Sequence, residues 1–309
     1  MERVVVTGGA GFLGSHLVDR LRAMGCDPFV VRSKDYDLRT EAGVKALLKD
    51  QGRIDYLFHL AATVGGIGLN KAHPGLLCYE NVVMGTLLVE QARLHDVGKL
   101  ICVGTVCAYP RSEYILREEH LWDGYPDPTN APYGLAKRML LVLLQSYWQE
   151  YRFPSVFVIP TNLYGPRDNF DPATSHVIPA MIKKFLEADD EVVLWGSGDP
   201  TRDFLYVEDA VEGILLAAER CQMPDPINLG SGDETRISVL AHIIQNLTGF
   251  RGRIRWDTTK PDGQPRRVLD ISRARDLLNW QPGTPLEKGL RKTIRWYQDD
   301  KQRRMECKV

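Results

Sequence analysis

The sequence is notable first for what it does not carry. Charge of one sign is not in excess, because 39 Lys and Arg stand against 40 Asp and Glu, a formal net charge of −1. That balance gives no reason to expect nucleic acid, and the lack of a basic block gives none to expect a phospholipid surface. Any anionic ligand must be held by a few local cations or helix ends. No apolar run approaches the roughly 20 residues of a membrane span. The early run Val4-Val5-Val6 is broken by glycines after Thr7, so it does not read as a signal peptide. The cysteines Cys26, Cys78, Cys102, Cys107, Cys221 and Cys307 form no CxxC pair, and no His stands at metal-ligand spacing from them. Scattered thiols predict a reducing cytoplasm, no disulfide framework and no metal. Cys307, third from the end, makes no prenylation box. Internal repeats and flexible linkers are also missing.

What is present suits a soluble protein with a proper core: 309 residues, 44% hydrophobic and 26% charged. That length predicts one nucleotide-binding domain plus a smaller substrate-holding part. Short β-rich runs at residues 4–7, 28–32, 56–60, 100–103 and 156–159 alternate with helical patterns at 13–24, 75–95 and 132–151. Alternation of this kind predicts a Rossmann-type α/β fold, a doubly wound parallel sheet covered on both faces. From about Tyr164 the pattern turns irregular, with loops at 165–175, 196–201 and 261–265 and a helix returning at 207–220. The expected division is a cofactor-binding domain over residues 1–163, with a returning segment at about 203–228, and a mainly substrate-binding α/β part over 164–309. Residues 301–308 read as a charged, solvated end.

Thr7-Gly8-Gly9-Ala10-Gly11-Phe12-Leu13-Gly14 lies between the first strand and the first helix. Glycines here let the backbone turn tightly, approach a pyrophosphate and pack helix on strand, while the helix N-terminus attracts negative charge. An NAD site usually places Asp or Glu at the end of the second strand. Here that strand ends Val31-Arg32-Ser33-Lys34, and cations suit a 2′-phosphate, so NADP(H) is expected. Two solvated cations at a strand end are the plainer reading, and Asp35 and Asp37 blur the distinction.

Tyr133-Gly-Leu-Ala-Lys137 opens a long helix introduced by Asn130 and Pro132. A spacing of four puts both side chains on one face, where an ammonium lowers the pKa of a neighbouring phenol. The glycine loop, His59-Leu60-Ala61-Ala62, Thr105 and the Tyr133/Lys137 pair occur in an order that resembles the extended short-chain dehydrogenase/reductase family, over nearly the whole chain. The resemblance implies that Tyr133 exchanges a proton at a sugar oxygen, that Lys137 holds the nicotinamide ribose, and that Thr105 hydrogen-bonds the reacting oxygen.

The residue two places after that Thr separates chemistries within the family, being Glu in dehydratases and usually Thr in 4-epimerases. Here Cys107 stands there, followed by Tyr109-Pro110. This resembles a subgroup that inverts C3 and C5 of GDP-4-keto-6-deoxy-D-mannose and then reduces C4 with NADPH. Residues 64–67, 160–166, 168–170, 175–180, 195–198, 202–205 and 260–263 continue the likeness. It implies Cys107 as base and His176 as acid. The plainer alternatives are a small buried cysteine and a cap or core histidine.

For the cofactor the resemblance implies Gly8, Gly11, Phe12, Leu13 and Gly14, then Arg32, Ser33, Lys34, Asp37 and Leu38. Leu60, Ala61, Ala62, Val103, Gly104 and Thr105 follow, and then Tyr133, Lys137, Pro160, Asn162, Leu163 and His176. Lys184, Trp195, Arg202 and Asp262 match positions that hold the GDP-sugar, although Lys184 stands where Arg is expected and Trp195 also suits a core. Family members of this type pair two helices into a four-helix bundle, so a homodimer through residues 75–95 and 132–151 is expected. A pure isomerase using bound NAD and a cofactor-sensing protein without turnover remain as alternatives. Arg32 and Lys34 argue against the first, and the intact Thr105, Cys107, Tyr133, Lys137 and His176 set argues against the second.

Overall fold

The computed structural model describes residues 2–65, 67–172 and 174–306; Gly66 of the 64–67 run and Cys307 lie outside the described residues. The chain begins β1 (Val4–Thr7), α1 (Phe12–Ala23), β2 (Phe29–Val31), α2 (Glu41–Gln51) and β3 (Tyr56–His59). It continues with α3 (Ile67–Ala72), α4 (Pro74–Leu94), β4 (Lys99–Val103), α5 (Ala131–Tyr151), β5 (Ser155–Pro160) and β6 (Asn162–Tyr164). Next come α6 (Val177–Glu187), β7 (Glu191–Trp195), β8 (Thr201–Arg202), β9 (Phe204–Tyr206), α7 (Val207–Arg220) and β10 (Pro226–Leu229). The last elements are β11 (Thr235–Arg236), α8 (Ile237–Thr248), β12 (Arg253–Asp257), β13 (Arg266–Arg267), α9 (Ser272–Leu278) and α10 (Leu286–Glu306).

β1, β4, β5 and β10 are buried along their whole length, as continuous apolar runs must be when both faces of a sheet are covered. They join a six-stranded sheet in the order β10-β5-β4-β3-β1-β2, parallel throughout. Leu47 of α2, Leu88 of α4 and Leu141 of α5 cover one face. Leu17 of α1, Ile214 of α7 and Leu278 of α9 cover the other. The chain goes from β1 to β2 on one side, then returns to lay β3 on the opposite side of β1. Ligands of such sheets bind in the crevice outside the strand ends where the order reverses. Here that places the site beyond Thr7 and His59.

A second core lies outside the sheet, where Ile182 of α6, Leu194 of β7, Ile244 of α8 and Leu290 of α10 pack together. This part is more regular than its sequence suggests. Its helices are amphipathic, but its strands β8, β11 and β13 are two residues long and leave no periodic trace. The charged end is also not a loose tail as far as Glu306. It is the last turn of α10, held by Arg304–Asp300 at 2.6 Å and by Lys301–Glu187 at 3.2 Å. Among the described residues, no helix is long and apolar enough to cross a membrane.

Candidate active site

The floor of the crevice is the turn between β1 and α1. Gly8 has φ +70°, and a Cβ on it would fall 2.6 Å from the Ala61 nitrogen. A Cβ on Gly14 would fall 2.1 Å from the Gly8 carbonyl oxygen. Both positions exclude any side chain. Gly11 caps α1 without a side-chain hydrogen bond, so no cap side chain takes up the first N–H groups of the helix. That cradle fits a dinucleotide pyrophosphate. Phe12 meets His16 edge to face, and Leu13 packs on the sheet core. Across the reversal, Thr7 Oγ1 pairs with His59 Nδ1 at 2.9 Å and accepts from the Ala61 nitrogen at 3.4 Å, aligning Leu60, Ala61 and Ala62 beside Gly8. Burial, with the Lys137 charge acting the same way, pushes His59 down to about 3, so its ring is neutral.

At the end of β2, Arg32, Ser33 and Lys34 form an exposed turn. Among the described residues neither Arg32 nor Lys34 enters an ion pair. Asp37 is occupied differently: Arg39 binds it at 2.9 Å and bridges on to Glu80 at 2.8 Å. Leu38 is buried in the sheet core. Among the described residues the two cations are therefore without an ion pair, while the nearby Asp37 carboxylate is engaged by Arg39.

Val103 and Gly104 carry β4 to Thr105. A Cβ on Gly104 would strike the Phe157 ring at 2.6 Å. Thr105 opens a 3-10 turn over Val106–Ala108, its Oγ1 accepting the Cys107 amide at 3.2 Å. The start of α5 presses on this turn, because a Cβ at Gly134 would come 2.5 Å from the Cys107 carbonyl oxygen. Glycine after Tyr133 thus lets the phenol and the thiol share one wall. Lys137 is only 3% exposed, with Nζ 5.9 Å from the centre of the Tyr133 ring.

The electrostatics correct one expectation. Spacing alone predicts that Lys137 lowers the Tyr133 pKa. In the structure, burial, aided by Cys107, pushes the phenol well above its ordinary range. Burial also brings the Lys137 ammonium down to about 8. Desolvation dominates at both groups, so Tyr133 is a neutral phenol and Lys137 a cation that titrates just above neutrality.

On the opposite wall, Asn162 Nδ2 and Thr161 Oγ1 both donate to the Asp203 carbonyl, at 2.8 and 3.1 Å, tying β6 to β9 after Pro160. Leu163 packs into the sheet core. His176 caps α6 with an extended backbone and keeps an exposed edge. Burial and then the Arg267 charge lower its pKa. Arg202 Nη1 donates to the carbonyls of Thr201 and Gln264, each at 2.7 Å. Burial and the neighbouring Arg267 bring its guanidinium down to about 10.

The remaining sequence candidates lie around the turn after β7. Trp195 is 66% exposed, with Lys260 Nζ 5.8 Å from its ring centre, so it is not a core aromatic. Asp262 accepts from the Ser197 nitrogen at 2.6 Å and from Ser197 Oγ at 3.0 Å. Lys184 donates to the Val193 carbonyl at 2.9 Å, which ties its ammonium to β7 through one of its three N–H groups.

Two residues escaped the sequence reading. Arg267 donates from Nη1 to Cys107 Sγ at 3.7 Å, and its Nε donates to Gln264 Oε1 at 3.1 Å. No motif marks them. Arg267 enters through the pairing of β13 with β8, which sets it beside Arg202.

Residues 4–230 match the model of the NAD dependent epimerase/dehydratase family, and the chain belongs to that family. Its particular likeness is to GDP-L-fucose synthases. It is 36% identical to that of Escherichia coli K12 over 98% of both chains, and 39% identical to that of Sinorhizobium fredii over 94% of both. It is 31% identical to the GDP-L-colitose synthase of Yersinia pseudotuberculosis over 97% of this chain. The crystal structure of a GDP-L-fucose synthetase from Naegleria fowleri bound to NADP superposes with a TM-score of 0.90 at 31% identity, covering 97% of this chain and 94% of that one.

Proposed function

We propose that this chain inverts C3 and C5 of GDP-4-keto-6-deoxy-D-mannose and reduces C4 with NADPH, giving GDP-L-fucose. One observation carries the reading: Cys107 and Thr105 share a single turn, and the backbone at Gly134, next to Tyr133, packs against that turn. This supports a thiol base, a hydroxyl donor and a neutral phenol acting on one sugar ring.

The C4 ketone acidifies the protons on C3 and C5. Cys107, as thiolate, takes such a proton; the C–H electron pair moves into the enolate, whose oxygen accepts from Thr105. His176 returns a proton to the opposite face, and its lowered pKa makes the imidazolium a ready donor. Its exposed edge lets it exchange with solvent between the two inversions. The nicotinamide supplies the hydride that reduces C4. Tyr133 then gives its proton to the C4 oxygen, a step that requires the neutral phenol that burial maintains. Lys137, with Nζ 5.9 Å from the centre of the Tyr133 ring, supplies a positive charge beside the phenol.

NADP(H) is the cofactor, held at the glycine cradle and by Arg32 and Lys34. Arg202 takes the substrate pyrophosphate, and the open face of Trp195 takes the guanine. Residues 1–163 with the return at 203–228 serve the cofactor, and the remainder serves mainly the GDP-sugar. The exposed Leu76 and Tyr79 of α4 and Met139 and Val142 of α5 support a homodimer through a four-helix bundle. The free thiols, Cys107 among them, support a cytoplasmic site of action. A second reading, the same chemistry on another GDP-sugar, is favoured by the likeness to GDP-L-colitose synthase. Incubation with GDP-4-keto-6-deoxy-D-mannose and NADPH tests the assignment. It predicts loss of absorbance at the reduced-nicotinamide band and a fucose product, and no consumption contradicts it.

A further inference from the structure

The guanidinium of Arg267 has a fixed direction. Gln264, itself buried, holds Nε at 3.1 Å, which leaves Nη1 on the Cys107 sulfur at 3.7 Å. Arg202, the adjacent cation, is turned elsewhere: its Nη1 serves two backbone carbonyls, and its Nη2 lies over Gly263, beside Asp262. The groups that face Cys107 electrostatically are thus Arg267 and Arg202 from β13 and β8, and Tyr133 from α5. A guanidinium is a permanent cation, and contact with one favours thiolate over thiol.

We propose that Arg267 is a positioning residue for epimerisation, holding Cys107 Sγ as a thiolate aimed at the sugar ring, rather than a phosphate ligand. This rests on the reading of Cys107 as the base. Three groups then share the work on the ring: Arg267 stabilises the charge on sulfur, Cys107 removes the carbon proton, and His176 replaces it. The same charge disfavours imidazolium at His176, so removing it must slow the thiolate step while easing protonation of the acid.

Arg267→Gln keeps length and hydrogen bonding but loses the charge, and Arg267→Lys restores it. At pH 7, alkylation of Cys107 by iodoacetamide, followed by peptide mass mapping, is expected to slow about tenfold in Arg267→Gln and to recover in part in Arg267→Lys. Deuterium exchange at C3 and C5 of the substrate should fall in parallel through kcat, with KM changed less than about threefold. A distorted site would expose the sulfur and speed alkylation, so unchanged or faster alkylation overturns the proposal. A raised KM at constant kcat also overturns it, by placing Arg267 on the phosphates. Cys107→Ser is measured alongside. If it exchanges normally, the base assignment fails, while the alkylation comparison still decides whether Arg267 holds a thiolate.

Discussion

Thr105 Oγ1 accepts the backbone amide of Cys107 at 3.2 Å, so the hydroxyl proposed to address C4 and the thiol proposed to address C3 and C5 are set by one hydrogen bond. With its acceptor side used by the backbone, the hydroxyl has its proton left for the reacting oxygen. Thr105→Ser is expected to retain activity. Thr105→Val should lose the cap, at about 1 kcal/mol of stability, and should cut NADPH consumption about 100-fold. Thermal melting and cofactor absorbance read the two effects separately.

The unpaired state of Arg32 and Lys34 predicts a preference for NADPH. A lost charge-assisted hydrogen bond costs about 1.5–3 kcal/mol, so Arg32→Ala should raise the KM for NADPH roughly 10- to 100-fold. The KM for NADH should stay nearly constant. Steady-state kinetics with both cofactors checks this, and equal use of the two by the parent protein contradicts it.

Asp168 predicts a pH dependence of stability. It is 8% exposed, its Oδ2 has no hydrogen-bond partner among the described residues, and burial raises it from 3.8 to about 7. A raised carboxyl pKa means that the folded state binds more protons than the unfolded state between pH 4 and 7, so stability falls as pH rises through that window. Asp168→Asn should match the parent near pH 4 and exceed it above pH 7, by roughly 2–4 kcal/mol. Melting curves across pH 4–8 that run parallel would refute this.

The apolar face of α4 and α5 predicts a dimer at micromolar concentration. A charge at its centre, Val142→Glu, should give a monomer by light scattering with secondary structure intact. A monomeric parent removes the four-helix bundle from the account.

Legibility of the sequence followed burial. β1, β4 and β5 show as continuous apolar runs because both sheet faces are covered, and the cradle shows because backbone contacts at Gly8 and Gly14 forbid side chains. Spacing placed Tyr133 and Lys137 on one helix face, but it carries no information about desolvation, which reverses the expected direction of the Tyr133 pKa. β8, β11 and β13 leave no signal because two residues cannot show alternation. Arg267 was invisible for a related reason: its contact with Cys107 spans 160 positions and depends on a two-residue strand pairing.

The central claim is that one site performs two separable reactions. Deuterium incorporation at C3 and C5 by Tyr133→Phe, measured by mass spectrometry of the recovered GDP-sugar in heavy water, tests it most directly. Tyr133→Phe removes the proposed C4 proton donor and leaves Cys107 and His176 in place. The account predicts exchange at the parent rate, with NADPH consumption reduced by about 100- to 10,000-fold. Loss of exchange together with reduction would contradict it.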